Sequence, residues 1–251
     1  MTRERSTHLR VYLLIHGSWH GGWCWYKVLP RLEKAGHRVL APDLPSLGID
    51  KTPIAQISLD AWTDSICQLL DNQEDPVVLV VGHSRGGILI SQAAERRPEN
   101  VKTLVYLAAF LLRDGESLLQ VAQMDGGSMV LPNLVIADDQ SCATVKKAAL
   151  KEVFYGECSE EDVALAGLLL APEALAPMRT PISISDRNYG RVPRVYIECL
   201  RDKAIPPALQ KKMYTALPCQ RVISMDTDHS PFFSAPEALV THLLSIDSDV
   251  R

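Results

Sequence analysis

Apolar residues along this chain gather into short runs separated by amphipathic stretches. Runs near residues 10–16, 37–41, 76–82, 101–108, 193–199 and 220–225 are rich in Val, Ile and Leu and show little polar alternation. Such runs suit strands buried on both faces of a parallel sheet. Between them, 22–35, 58–72, 86–97, 206–217 and 235–246 carry apolar residues at helical spacing. In "SLDAWTDSICQLLD", Ser58 stands as N-cap before Leu59, Trp62, Ile66 and Leu69, and Pro98 stops the segment beginning at 86. Strand and helix alternating in this way predict an α/β fold, a mostly parallel central sheet with helices on both faces.

The alternation lapses between Leu112 and Arg191, where "EEDVALAGLLLAPEALAPM" and several prolines read as helical and inserted. The expected organisation is a core of residues 1–111 and 192–251 with a helical cap, 112–191, inserted after the strand at 101–108. Ligands of open α/β sheets bind beyond the carboxyl ends of the strands, so such an insertion would lie over them as a lid.

One run ends unusually. "VVLVVGHSRGGILIS" passes from strand to helix through Gly82, Ser84 and Gly86, the G-x-S-x-G of a sharp strand-to-helix turn that lifts a serine hydroxyl toward substrate. A serine attacks only when an imidazole takes its proton and a carboxylate orients that imidazole. In chain order after Ser84, "VYIECLRDKAIPP" offers Asp202 and "VISMDTDHSPFFSAPEAL" offers His229, each just past a strand-like run. Asp114, after the preceding strand, is the alternative acid, whereas Asp226 and Asp228 sit too close to His229 in sequence to reach back to it. His83 lies inside the turn, where its ring should point away from the hydroxyl. "LLIHGSWHGGW" ends the first strand in a glycine-bearing loop. There the N–H of Ser18 can face the N–H of Arg85, the two expected sources of an oxyanion hole. In that loop His20 reads as a hydrogen-bonded anchor and Trp23 as a core aromatic.

These residues resemble the α/β-hydrolase superfamily and, within it, the branch holding plant methylesterases and α-hydroxynitrile lyases. The likeness runs through "HGSWHGGWCWYKVLPRLEKAGHRVLAPDLPSLG", "GHSRGG", "FYGECSEEDVALAGLLLAPE", "RVYIECLRDKAIP" and "DHSPFFSAPEAL". It implies an α/β-hydrolase fold with a catalytic triad of Ser84, Asp202 and His229 and oxyanion donors at Ser18 and Arg85. The lyases of that branch typically carry threonine after the first-strand histidine and lysine after the catalytic one. Gly17 and Ser230 stand there in this chain, so the resemblance implies a serine carboxylesterase. A carbon–carbon lyase on the same scaffold and a small-ligand binding protein with a retained triad are the alternatives. Trp19 and Arg85 depart from the small and apolar residues usual at their positions. The Arg85 side chain is expected to be surface-directed or salt-bridged, with a grip on a polar substrate group as the other reading. Trp19, Met124, Leu131 and Phe154 are the candidates for the substrate pocket, whose shape depends on cap residues that spacing does not place.

Composition narrows the partners. A formal net charge of -4 gives no long-range attraction for nucleic acid or an anionic membrane surface. No run reaches the roughly 20 apolar residues of a membrane span, and no leader-like apolar stretch follows "MTRERSTHLR". The six cysteines show no C-x-x-C pair, and the seven histidines no metal-ligand spacing. The sequence therefore reads as a cytoplasmic enzyme with free thiols, without cofactor or metal, acting on a small-molecule ester, with a homodimer as the assembly the resemblance allows.

Overall fold

The computed structural model describes residues 10–74 and 77–249. Residues 1–9, the charged start of "MTRERSTHLR" expected to carry no leader, lie outside the described residues. The strands β1 (Val11–Ile15), β2 (Arg38–Leu40), β3 (Val77–His83) and β4 (Val101–Leu107) alternate with α1 (Leu29–Lys34), α2 (Leu59–Asp71) and α3 (Gly86–Arg96). Between β4 and the next core strand come α4 (Leu118–Gln123), β5 (Leu134–Ile136), β6 (Cys142–Val145), α5 (Leu150–Phe154), α6 (Glu160–Leu169), β7 (Glu173–Ala174) and α7 (Ala176–Arg179). The chain then returns through β8 (Arg194–Cys199), α8 (Pro207–Ala216), β9 (Arg221–Met225), α9 (Pro231–Ser234) and α10 (Pro236–Asp249).

Six strands form one sheet in the order β2-β1-β3-β4-β8-β9, every described pairing parallel. Alternation along the strands sorts their side chains between two cores. Leu13, Ile15, Val80, Leu104 and Tyr106 pack with Trp62 and Ile66 of α2 and Ile88 of α3 on one face. Tyr12, Leu14, Leu79, Val81, Val105 and Leu107 pack with Trp25, Leu32, Leu239 and Leu243 on the other. Both faces are covered, which is why the strand runs lack a polar period. Ser58 caps α2 as expected, its hydroxyl accepting from Ala61 N–H at 3.0 Å.

Strand order reverses beside β1, with β2 on one side and β3 on the other, and Ile15 lies in register with Gly82. The loops leaving β1 and β3 therefore emerge side by side at the switch point where α/β sheets open a crevice.

Two expectations are corrected. The helical segment at 22–35 is broken into a 3-10 turn, Gly22–Trp25, and the short α1, with Pro30 in the first turn of that helix. The region between β4 and β8 is not helical throughout. It holds an antiparallel sheet in the order β5-β6-β7, whose strands of two to four residues are too short to show a period. Among the described residues no helix is long and apolar enough to cross a membrane.

Candidate active site

Ser84 occupies the turn between β3 and α3 with φ +53°, a left-handed conformation that few non-glycine residues adopt. Its backbone is tied on both sides. Its N–H donates to Leu107 O at 3.2 Å, and its carbonyl accepts from Gly87 N–H at 3.1 Å and Phe110 N–H at 3.0 Å. The flanking glycines are required by close approach. A Cβ on Gly82 would lie 2.7 Å from Gly86 O, and one on Gly87 would lie 2.2 Å from Phe110 O.

His229, in the loop after β9, is 2% exposed and donates from Nδ1 to Asp202 Oδ2 at 2.7 Å. Asp202, after β8, is itself anchored. Its Oδ1 accepts from the N–H groups of Ala204 (2.7 Å) and Ile205 (2.8 Å), and its Oδ2 also accepts from Gln210 Nε2 at 3.3 Å. Gln210 is fully buried and bridges Cys199 and Ile205 as well, so α8 fixes the loop that carries the acid. The alternative acid, Asp114, is exposed and accepts from Ile184 N–H, while Asp226 pairs outward with Arg201. Asp228 is buried and accepts from Glu157 N–H and Ser234 Oγ, which fastens the His229 loop to the β4–β8 segment. His83 points away from the hydroxyl beside it, its Nε2–H donating to His229 O at 2.8 Å, and its ring centroid lies 4.6 Å from that of His229. Burial first, and the neighbouring His229 next, hold His83 well below the usual imidazole range, so it serves as a neutral donor.

The loop after β1 is organised by two more neutral histidines. His16 Nε2 accepts from Leu44 N–H, which leaves Nδ1–H to donate to Gly17 O at 2.9 Å. His20 accepts at Nε2 from the Tyr155 hydroxyl and donates from Nδ1 to Ser18 O at 2.6 Å; burial lowers its pKa to about 4. His20 is thus the loop anchor expected. Trp23 is half-buried and stacks on His20, and the fully buried core aromatic is Trp25. Among the described residues, neither the Ser18 N–H nor the Arg85 N–H donates to a protein acceptor.

Arg85 is salt-bridged and entirely buried, not surface-directed. Its Nε lies 2.8 Å from Glu173 Oε1, its Nη2 donates to Gly17 O at 3.0 Å, and its guanidinium lies 4.3 Å over the Trp62 ring. Glu173, at the start of β7, also accepts from Trp19 N–H through Oε2. Desolvation raises its carboxyl above the usual value, against the pull of Arg85, the Trp19 N–H and the Ser18 hydroxyl. Glu173 is a residue of this site that the sequence pattern does not single out. Two signals pointed to it: an arginine where the turn usually has an apolar residue, and one charge inside "LLLAPEALAPM".

Ser84, Ser18 and Glu173 open onto a cavity of about 680 Å³, mouth included, whose wall is otherwise mostly apolar: Phe110, Leu118, Val130, Leu134, Met178 and Ile205 among others. Of the four pocket candidates, Trp19, Leu131 and Phe154 line this cavity. Met124 does not. It caps the C-terminus of α4, whose buried face is Leu118, Val121 and Ala122, and it projects into a separate surface hollow beside Arg113 and Lys212. Among the described residues no group of three or more His, Cys, Asp or Glu side chains could hold a metal ion.

Residues 12–242 match the alpha/beta hydrolase family. The chain is 36% identical to putative methylesterase 11, chloroplastic, of Arabidopsis thaliana, over 94% of its own length and 63% of that protein's. It is 35% identical to methylesterase 1 of the same plant, over 97% of both. A solved pyrethroid hydrolase from Sphingobium faniae JZ-2 superposes with a TM-score of 0.85 at 28% identity, covering 96% of this chain and 98% of that one. The chain belongs to the alpha/beta hydrolase family. Within it, this chain is a serine hydrolase of carboxylic esters.

Proposed function

We propose that Ser84 is the nucleophile, His229 the general base and Asp202 the residue that orients it, in a two-step hydrolysis of neutral esters with an apolar acyl or alcohol part. The buried Asp202–His229 hydrogen bond at 2.7 Å carries this reading. It commits Nδ1 to the carboxylate and leaves Nε2 as the nitrogen able to take a proton from a serine. Ser84 attacks the ester carbonyl, its proton passes to His229 Nε2, and the carbonyl oxygen becomes an oxyanion. The unengaged N–H groups of Ser18 and Arg85 receive that charge. Collapse expels the alcohol, which takes the proton from His229. Water, deprotonated by the same nitrogen, then attacks the acyl-enzyme, and the acid leaves as Ser84 regains its proton.

The relatives named methylesterases support a small alcohol as leaving group, and the apolar wall supports an apolar remainder. The lyase alternative has little support in the site. A Cβ at Gly17 would lie 2.7 Å from His83 Nδ1 and 3.0 Å from Ser84 Cβ, so a threonine there would need the turn to shift, and Ser230 offers no cation. The test is a series of methyl and p-nitrophenyl esters assayed beside mandelonitrile, with Ser84→Ala as control. Ester turnover that vanishes in Ser84→Ala, without cyanide release, is expected. Cyanide release exceeding ester turnover would contradict the proposal.

A further inference from the structure

We propose that Arg85 and Glu173 are a positioning pair that aims the oxyanion loop, making the segment between β4 and β8 a working part of the site and not merely a cover. This rests on the ester-hydrolysis reading above. Gly17 O belongs to the same peptide unit as the Ser18 N–H. A trans peptide is planar with its oxygen and hydrogen opposed, so whatever holds the oxygen aims the hydrogen. Arg85 Nη2 at 3.0 Å and His16 Nδ1 at 2.9 Å both hold that oxygen. Donation to the carbonyl also polarises the amide and strengthens its N–H as a donor.

The next peptide unit is fixed at both ends, its N–H, that of Trp19, by Glu173 Oε2 and its carbonyl by His20 Nδ1. The unit after that is held from the same β4–β8 segment, with Ala171 N–H donating to Trp19 O at 2.9 Å. Trp19 Nε1 donates to Ala143 O at 2.9 Å. Trp19 needs such restraint, because its φ of +63° is one that a bulky side chain adopts only when its surroundings impose it.

Stability alone is a poor reason for this pair. Both side chains are at least 98% buried, Arg85 Nη1 has no hydrogen-bond partner, and the 2.8 Å Nε–Oε1 contact is off the line of a hydrogen bond. Apolar side chains of similar volume commonly pack as well as or better than a buried ion pair. What the charges supply is direction. The arginine belongs to the residue whose own N–H is the second unengaged donor, and the glutamate reaches it from β7, so turn, loop and covering segment share one set of bonds.

The experiment compares wild type, the near-isosteric Glu173→Gln, and the double variant Arg85→Met with Glu173→Leu, which leaves no unpaired buried charge should the single variant unfold. Three readouts are taken on one ester series: kcat and KM, inhibition by a trifluoromethyl ketone, whose adduct places an oxyanion in the hole, and inhibition by the matching secondary alcohol, which does not. Expected is a loss in kcat of about 10- to 100-fold, short of the 10² to 10³ for deleting a donor outright. The ketone should weaken in parallel, while KM and alcohol binding stay within about threefold. Folded variants with wild-type kcat and ketone inhibition would overturn the proposal, as would ketone and alcohol weakening by the same factor. Fluorophosphonate labelling of wild-type Ser84 separates the two levels: an unlabelled wild type sinks the ester-hydrolysis reading itself, and a labelled one with unaffected variants sinks only the positioning role.

Discussion

Asp202 and Glu173 are two buried carboxylates held in different ways. Asp202 is fixed entirely from the core, by backbone N–H groups of its own loop and by Gln210 of α8, and faces one imidazole. Glu173 comes from the β4–β8 segment and is fixed by partners across that boundary, Arg85 and the Trp19 N–H. The bonds that fix the Asp202 carboxylate all lie within the core, although Asp228 ties the neighbouring His229 loop to the segment, whereas those of Glu173 all cross from segment to core. The difference teaches that the two carboxylates are anchored by different parts of the chain, and under the proposed roles perturbing each should give a distinct kinetic signature.

The largest expected effect falls on the proposed nucleophile. Ser84→Ala should remove turnover by about 10⁶ while the protein stays folded, as measured by burst-free initial rates and thermal unfolding. On the core side, Asp202→Asn should lower kcat by about 10⁴ through loss of the correct tautomer. A loss there no larger than that of Glu173→Gln would erase the distinction between the two carboxylates.

Below these in size lies a pH effect on stability. His16, His20 and His83 are buried with folded pKa values below the ordinary imidazole value, His20 at about 4. The unfolded chain therefore binds more protons than the folded one in that window. Stability present above the unfolded pKa is lost as pH falls from about 6.5 toward 4, at about 1.4 kcal/mol per pH unit for each such histidine. Urea unfolding at pH 7, 6 and 5 reads this directly, and a flat profile would contradict the neutral-donor roles. Smallest is the response to substrate length. Each methylene buried against the apolar wall is worth about 0.8 kcal/mol, or about fourfold in kcat/KM, until the cavity is full. A series of acyl lengths showing no gain would place the apolar part of the substrate elsewhere.

Much of this was legible in the sequence, for physical reasons. Doubly buried strands leave unbroken apolar runs, so all six core strands, and four of the five expected core helices, could be placed from patterning together with Ser58 and Pro98. Ser84 showed itself because the sharp turn admits only glycine at Gly82 and Gly87, and Asp202 and His229 because each follows a strand. Three features were illegible. The strands β5, β6 and β7 are too short to carry a period. Met124 and Leu131 look alike in sequence, and only the packing of α4 sends one to the surface and the other to the cavity. Glu173 is a lone charge whose meaning lies in a partner far along the chain, a pairing that no local pattern records.

The central claim, that Ser84 is activated by the imidazole Asp202 holds, is tested most directly by fluorophosphonate labelling followed by peptide mass mapping, in wild type and His229→Ala side by side. The account predicts a single adduct on Ser84 in the wild type and its loss in the variant at equal exposure. Labelling of Ser84 at the same rate in both proteins, or an adduct on another residue, would contradict it.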